Sequence, residues 1–375
     1  MVLRNKLHIY NWLKMLWSVI LLATIASCQP YEEPYKAKFD YRPYLPKDSA
    51  DWRVAASPHE QMDVAKLDEA YKDFFAADKY KTSISLLVIR NGLLVGEGYA
   101  RGEFYEDYER KNNIKSATKS VTSLLAGIAV DKGLLDIDKT IYHYLPEYFP
   151  QDDEKRNITV RQALEMRTGL LWKNDEDTWD LMIDKHKSSL KLILDKPMEF
   201  SPGKGFRYTD ANPHLVAAVI QKVAGKPLEE FAKEYLFVPL SIKDYYWEKH
   251  QDGINYGAVA LYLSARNFAK IGQLVLQKGK WENKQIISES WLAESVKTQA
   301  TAAETGSADY GLYWWIRPQH NAIVARGHGG QYLYIVPDKN LLIVHTAMPY
   351  TGNGYRGITL QEIEHLADII ISGCK

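Results

Sequence analysis

The sequence predicts an α/β (α+β) fold: an antiparallel sheet flanked by helices, with an all-α lobe inserted into it. Three observations lead there. Ser83–Arg90 and Leu93–Tyr99 are β-rich runs either side of Asn91-Gly92, and the chain from about 106 to 256 reads as helices and loops. Short apolar β runs then return between Gly311 and Ala347, ahead of a closing helix. Strands at both ends of a helical middle imply that the terminal segments share one sheet.

Taken in order, Met62 to Tyr80 carries Val64, Leu67, Tyr71, Phe74 and Phe75 at helical spacing and predicts a helix. The next two runs predict a hairpin, because Asn-Gly accepts the positive φ angles of a tight turn. In the middle, Val160–Met166, Ala211–Val223 and Leu228–Leu236 are the better helical segments, followed by Ala265–Gln277 and Ser288–Val296. Gly311–Ile316, Ala322–Arg326, Gln331–Val336 and Leu341–Ala347 predict strands, separated by turns such as Pro337-Asp338-Lys339-Asn340. Thr359–Ile371 closes the chain as a helix.

The chemistry is concentrated between Asn112 and Gly133. Apolar and small residues dominate from Val121 to Val130, so the stretch predicts a buried helix starting near Ser116 and stopping at Gly133. Ser116 and Lys119 are then one turn apart on one face. The positive end of the helix and its free N–H groups favour an oxyanion there. Four S-x-x-K spacings occur: Ser116/Lys119, Ser188/Lys191, Ser201/Lys204 and Ser372/Lys375. The third is a turn by composition, the fourth is terminal, and the second follows Asp184-Lys185-His186-Lys187 as a solvated helix face. Only the first opens a hydrophobic helix. The plain alternative is a capping serine with a solvent-facing lysine.

At 375 residues, 46% hydrophobic and 25% charged, the chain is long enough for one large domain or two lobes. Arg4, Lys6 and Lys14 precede the apolar run Met15–Thr24, which is too short to span a bilayer and suits a signal peptide. It ends in Ile25-Ala26-Ser27-Cys28, similar to a lipobox, so residues 1–27 are expected to be removed and Cys28 acylated. The expected setting is the bacterial cell envelope, with membrane lipid as a partner. Residues 28–60, with Pro30, Pro34, Pro43 and Pro46, are expected to be a tether. Cleavage would take the charge balance from 47 Lys+Arg against 47 Asp+Glu to 44 against 47, which gives no case for nucleic acid. With Cys28 acylated, Cys374 has no disulfide partner. No cysteine-based metal site, zinc motif or cofactor motif is present: His59-Glu60-Gln61-Met62 meets Asp63 where H-E-x-x-H requires histidine. A G-x-S-x-G elbow is also missing, which excludes a classical α/β-hydrolase.

An ordered set of motifs resembles the serine β-lactamase-like superfamily, nearest its class C β-lactamase, family VIII esterase and 6-aminohexanoate-dimer hydrolase branch. It begins at Ser116-Ala-Thr-Lys119 and includes Tyr144-Leu145-Pro146-Glu147, Thr159-Val160-Arg161-Gln162-Ala163-Leu164 and Pro202-Gly203-Lys204-Gly205-Phe206-Arg207-Tyr208. Gly311-Leu312-Tyr313-Trp314-Trp315 and Gly327-His328-Gly329-Gly330-Gln331 complete it. The resemblance implies the β-lactamase/transpeptidase-like fold over 61–375. The sheet lobe would take 61–105 and 257–375, the helical lobe 106–256, with the active site between them. It also implies Ser116 as acylated nucleophile, Lys119 as proton-handling partner and Tyr208 as second base and leaving-group acid. His328-Gly329-Gly330 would supply the substrate strand, with the backbone N–H groups of Ser116 and Gln331 as oxyanion hole.

The residue chemistry is compatible with those roles, because a serine hydroxyl needs a base and a cation can favour phenolate. A packed aromatic remains the plain reading of Tyr208, and a turn residue that of His328. Two positions depart from the family pattern. Asp210 replaces the usual asparagine two residues after the tyrosine, with Asn212 as a possible substitute donor, and His328 replaces the lysine of many β-lactamases. Both changes favour small esters, amides or peptide-like substrates over β-lactams, whose carboxylate Asp210 would repel. Trp172, Trp179, Trp314 and Trp315 are candidates to line the cleft. The expected activity is serine hydrolysis of an ester or amide. The alternatives are a penicillin-interacting D-amino-acid peptidase or β-lactamase, and a binding protein of the same fold without turnover.

Overall fold

The computed structural model describes residues 44, 46, 51–55, 61–76, 78–100, 109–149, 153–183, 188–348 and 357–374. The stretch expected to be a signal peptide and Cys28 lie outside them. In chain order, the elements that position the site begin with helix α1 (Val64–Ala76) and the hairpin β1 (Ser83–Arg90) and β2 (Leu93–Tyr99). Helices α2 (Thr118–Asp131), α3 (Asn174–Ile183), α4 (Ala211–Ala224), α5 (Ala265–Leu276) and α6 (Glu289–Ser295) follow. Strands β3 (Asp309–Tyr310), β4 (Trp315–Arg317), β5 (Ala322–Gly327), β6 (Gln331–Val336) and β7 (Leu341–Ala347) precede the closing helix α7 (Leu360–Ser372).

The strands form a seven-stranded antiparallel sheet in the order β2-β1-β7-β6-β5-β4-β3. The two ends of the chain meet at β1 and β7, where Leu86 pairs with His345 and Val88 with Ile343. The expected Asn-Gly hairpin is present, with Asn91 at φ 53° and Gly92 at φ 75°. Strands β1 and β7 are almost wholly buried, because helices cover the sheet on two faces. Helix α1 sets Phe74 edge-on to His345, while α5 packs Gly272 against Leu333 and Leu342, whose side chains leave the opposite face of the pleat.

Helix α2 is buried from Thr118 to Ala129. Helix α4 packs along it, and α6 pins it through Trp291, whose Nε1 donates to the Ser123 carbonyl at 3.1 Å. A second, three-stranded sheet, in which Leu261–Leu263 lies between Asn112–Asn113 and Tyr246–Trp247, steers the chain into α2.

Several local expectations are corrected. The helix expected over Val160–Met166 ends at Leu164, because Met166 turns to φ 61°. Of the strand expected over Gly311–Ile316 only Trp315 and Ile316 are in a strand, β4: the preceding residues turn between β3 and β4, with Tyr313 at φ 67°. Helix α3 was not singled out in the sequence: its residues, NDEDTWDLMI, are too charged to show clear apolar periodicity.

The expected tether is corrected as well. Among the described residues of the 28–60 stretch, Tyr44 and Trp52 are buried. Tyr44 stacks on Tyr71 of α1 at 4.2 Å and its hydroxyl donates to Asp68. Trp52 is buried and its Nε1 donates to the Arg266 carbonyl at 3.2 Å, while Asp51 pairs with the Arg266 guanidinium at 2.8 Å. Prolines favoured a tether, but apolar area at Tyr44 and Trp52 outweighs the cost of ordering the backbone. A chain beginning at residue 41 should therefore melt well above one beginning at residue 61. Loss of two buried aromatics should cost at least about 3 kcal/mol. Equal midpoints in thermal or urea melts would refute this.

Candidate active site

Ser116 sits in a 3-10 turn, Lys115–Ala117, immediately before α2. The helix thus begins two residues later than expected. The turn is strained: Lys115 adopts φ 51°, held by its own N–H donating to Asn113 Oδ1 at 2.8 Å. The Ile114 N–H is fixed by the Leu261 carbonyl at 2.9 Å. These contacts leave Ser116 half-buried at the mouth of α2.

Lys119 lies one turn on and is 1% exposed. Its ammonium donates to Ser116 Oγ at 2.9 Å, to Asp210 Oδ1 at 2.5 Å and to the Ala258 carbonyl at 3.2 Å. Three acceptors satisfy the three donors of a charged lysine. Burial alone would lower its pKa, but the Asp210 carboxylate, aided by Tyr208, outweighs that and raises it above the usual lysine value. Tyr208 presents its ring 4.8 Å from the same ammonium. The ring is fixed by Trp315, with centroids 5.5 Å apart, and by the edge of Tyr310 at 5.9 Å.

Asp210 occupies the N-cap position of α4, yet its side chain does not cap the helix. Its second oxygen accepts from Thr178 Oγ1 at 2.9 Å, and Thr178 in turn accepts from Trp172 Nε1 at 3.1 Å. From one turn earlier on α3, the Asn174 side chain accepts from the Asp210 N–H at 2.9 Å and donates to the Tyr208 carbonyl at 3.3 Å. Asn174 and Thr178 were not found in the sequence. The one available signal was their i, i+4 spacing, hidden inside an acidic stretch.

Ser116, Lys119, Tyr208 and Asp210 are therefore brought together. Asn212 is not: it is fully buried, its Oδ1 accepting from Thr168 at 2.7 Å and its Nδ2 lying 3.6 Å from Met166 Sδ. Gln331 is also buried. Its side chain bridges Ala347, donating to the carbonyl at 2.6 Å and accepting from the N–H at 3.4 Å, and it pairs in register with Gly327. The hairpin residue that touches the serine turn is Gly327, at which a Cβ would lie 2.1 Å from the Ile114 carbonyl oxygen. His328 is exposed beyond it, and Gly329 and Gly330 form the turn with φ 74° and 101°. Of the four tryptophans, Trp315 packs on Tyr208, Trp172 supports Thr178, Trp314 is core and Trp179 is 63% exposed. The expected repulsion of anions by Asp210 is also corrected. Both its oxygens are engaged and its charge is paired with Lys119, so the cleft meets a neutral pair.

The model of the family described as Beta-lactamase matches residues 79–356. The chain is 22% identical over 284 residues to the 6-aminohexanoate-dimer hydrolase of Paenarthrobacter ureafaciens, covering 69% of this chain and 71% of that one. It is 26% identical over 145 residues to Esterase EstB of Burkholderia gladioli, a match spanning 35% of this chain and 37% of the esterase. The structure of a family VIII carboxylesterase superposes with a TM-score of 0.68 at 17% identity, covering 85% of this chain and 98% of that one. With three quarters of its length matched and the fold shared, the chain belongs to the beta-lactamase family and is a serine hydrolase of that family.

Proposed function

We propose that the protein cleaves a small ester or amide through an acyl-enzyme on Ser116, with Lys119 and Tyr208 handling charge and protons. The observation that carries this reading is the charged Lys119, 2.9 Å from Ser116 Oγ and held by Asp210. Because the ammonium donates to Oγ, the serine's own hydrogen is free to leave toward another base. Tyr208 takes it, with the Lys119 ammonium 4.8 Å from its ring placed to stabilise negative charge on the phenol oxygen. Oγ then attacks the carbonyl carbon, and Tyr208 returns the proton to the departing oxygen or nitrogen. In the second half, water attacks the acyl carbon, passes its proton to Tyr208, and Ser116 leaves reprotonated. The Ser116 N–H would stabilise the oxyanion. Gly327 brings the β5–β6 hairpin against the serine turn, the side from which a second N–H donor would come.

The names of the relatives, a hydrolase of an amide dimer and an esterase, agree with that substrate class. Action on β-lactams or cell-wall D-peptides is the second reading, favoured by the loss of Asp210 repulsion once its charge is paired.

Ser116→Ala should abolish covalent capture of a fluorophosphonate, read by intact mass, with an unchanged melting curve, since a turn serine contributes about 1 kcal/mol at most. Equal labelling would move the nucleophile elsewhere. Asp210→Asn should lower the pKa of Lys119, because burial then acts without the carboxylate that offsets it. The alkaline limb of kcat/KM for a neutral ester should accordingly move to lower pH over pH 5 to 10. A shift of the acid limb alone, with a faster neutral rate, would make neutral Lys119 the base and remove Tyr208 from that role. We also propose anchoring to a membrane through acylated Cys28. Cys28→Ser should move the protein to the soluble fraction of its native host, and unchanged fractionation would count against the anchor.

A further inference from the structure

A tetrahedral intermediate on Ser116 would need a second donor beside the Ser116 N–H, and a buried histidine grips the hairpin that meets the serine turn. His345 lies on β7 and is 1% exposed. Its Nδ1 is 2.7 Å from the Gly330 carbonyl oxygen, and its Nε2 is 2.8 Å from Ser83 Oγ. A backbone carbonyl can only accept, so the proton sits on Nδ1 and the Nε2 lone pair accepts from the Ser83 hydroxyl. Burial pushes the imidazole pKa down to about 4, against the Gly330 contact, which raises it. Both nitrogens of a neutral ring are thereby used. This histidine carries no proton for the reaction; it holds a backbone carbonyl.

The direction of that grip follows from the register. Arg326 pairs with Tyr332 and Tyr332 with His345, so all three side chains leave one face of the sheet, on which Phe74 of α1 meets the His345 ring edge-on. Gly327, the next residue after Arg326, presents the opposite face. The Ile114 carbonyl oxygen lies there, 2.1 Å from where a Cβ on Gly327 would be. The serine turn, which packs against β5 and β6, is therefore across the sheet from His345. No cis peptide occurs among the described residues, so the Gly330 carbonyl and the Gln331 N–H point in opposite directions. Drawing the carbonyl toward His345 aims the N–H toward the serine turn. Gly329 and Gly330, at φ 74° and 101°, have no side chain of their own to hold that peptide plane.

We propose that His345 is a positioning residue for the reaction: through the Gly330 carbonyl it fixes the Gly330–Gln331 peptide, so that the Gln331 N–H stands ready as the second oxyanion donor. The Gln331 side chain is braced on the Ala347 carbonyl and N–H of the same strand. Strand β7 thus holds the donor residue at two points, the carbonyl before its nitrogen and the end of its side chain. A donor fixed before the reaction stabilises the oxyanion more than one that must turn to meet it. The proposal rests on the acyl-enzyme reading and adds to it a residue that never touches substrate.

The test compares wild type, His345→Leu and His345→Asn on phenyl acetate and its thiono analogue, O-phenyl thioacetate. Leucine fills the space without a donor, whereas the asparagine amide presents an N–H close to the place of Nδ1. Sulfur is a weaker hydrogen-bond acceptor than oxygen, so a misdirected oxyanion donor costs the oxygen ester more. In His345→Leu, kcat for phenyl acetate should fall about a hundredfold with KM little changed, and the oxygen-to-sulfur ratio of kcat/KM should fall about tenfold. His345→Asn should recover part of both. Each ratio is taken within one protein, so a general loss of folded enzyme cancels. An unchanged ratio in His345→Leu overturns the proposal, as does an equal fall in both variants, which would make lost packing the cause. Should the leucine variant fail to fold, wild type decides: imidazole nitrogen NMR shifts should show His345 as the neutral Nδ1–H tautomer, and an Nε2–H tautomer overturns the assignment. Hydrolysis of phenyl acetate by wild type with an unchanged leucine ratio defeats this proposal alone. Hydrolysis of neither ester, with no adduct on Ser116, defeats the acyl-enzyme reading as well.

Discussion

The buried ion pair between Lys119 and Asp210 is the contact on which the rest of the site depends. Taking both charges out of water is expensive, and the pair is tolerated only because each remaining polar atom is satisfied. Lys119 reaches Ser116 and Ala258, while Asp210 reaches Thr178. Four segments distant in sequence are thereby fixed to one ammonium: the start of α2, the start of α4, helix α3 and the strand approach at Ala258. Asp210 could have capped α4, the usual use of an aspartate at that position, and does not. A cap would have stabilised one helix. The ion pair instead holds the ammonium against Ser116, the proposed nucleophile.

Around that pair the charge layout of the cleft is simpler than its composition suggests. Lys119 and Asp210 cancel at range. The aromatic rings have two tasks. Tyr310 and Trp315 hold the Tyr208 ring at its distance from Lys119, and Trp315 also supports the Arg326 guanidinium. A rigid aromatic shelf gives precision that loops alone would not, because its side chains lose little further entropy on binding.

The sheet explains how segments far apart in the chain become one wall. Pairing of β1 with β7 closes the two ends of the chain on one another, and helices on both faces bury the strands. The hairpin of β5 and β6 is then held against the serine turn at Gly327, where any side chain would collide with the Ile114 carbonyl. The stretch around Tyr44 and Trp52 belongs to the same architecture, since it covers Tyr71 and the buried Arg266–Glu97 pair from outside.

Much of the fold was legible because it is written in local pattern. Asn91-Gly92 between β-rich runs specified a hairpin, and the apolar run after Ser116 specified a buried helix with Lys119 on the serine's face. The motif order from Ser116 to Gln331 carried the family. Local pattern does not encode which groups converge from different segments. Nothing in the sequence says that Asp210 turns to Lys119 while Asn212, two residues on, turns into the core toward Thr168. On a helix start those two side chains diverge by about 200°, and only the packing of α4 against α2 decides which one meets the lysine. Thr178 escaped for the same reason: its partner Asp210 lies 32 residues away. Residue types and periodicity determined what the chain could build and where its candidate nucleophile, Ser116, lies. Burial and long-range contact decided which charges are neutralised and which donor is spent on the core.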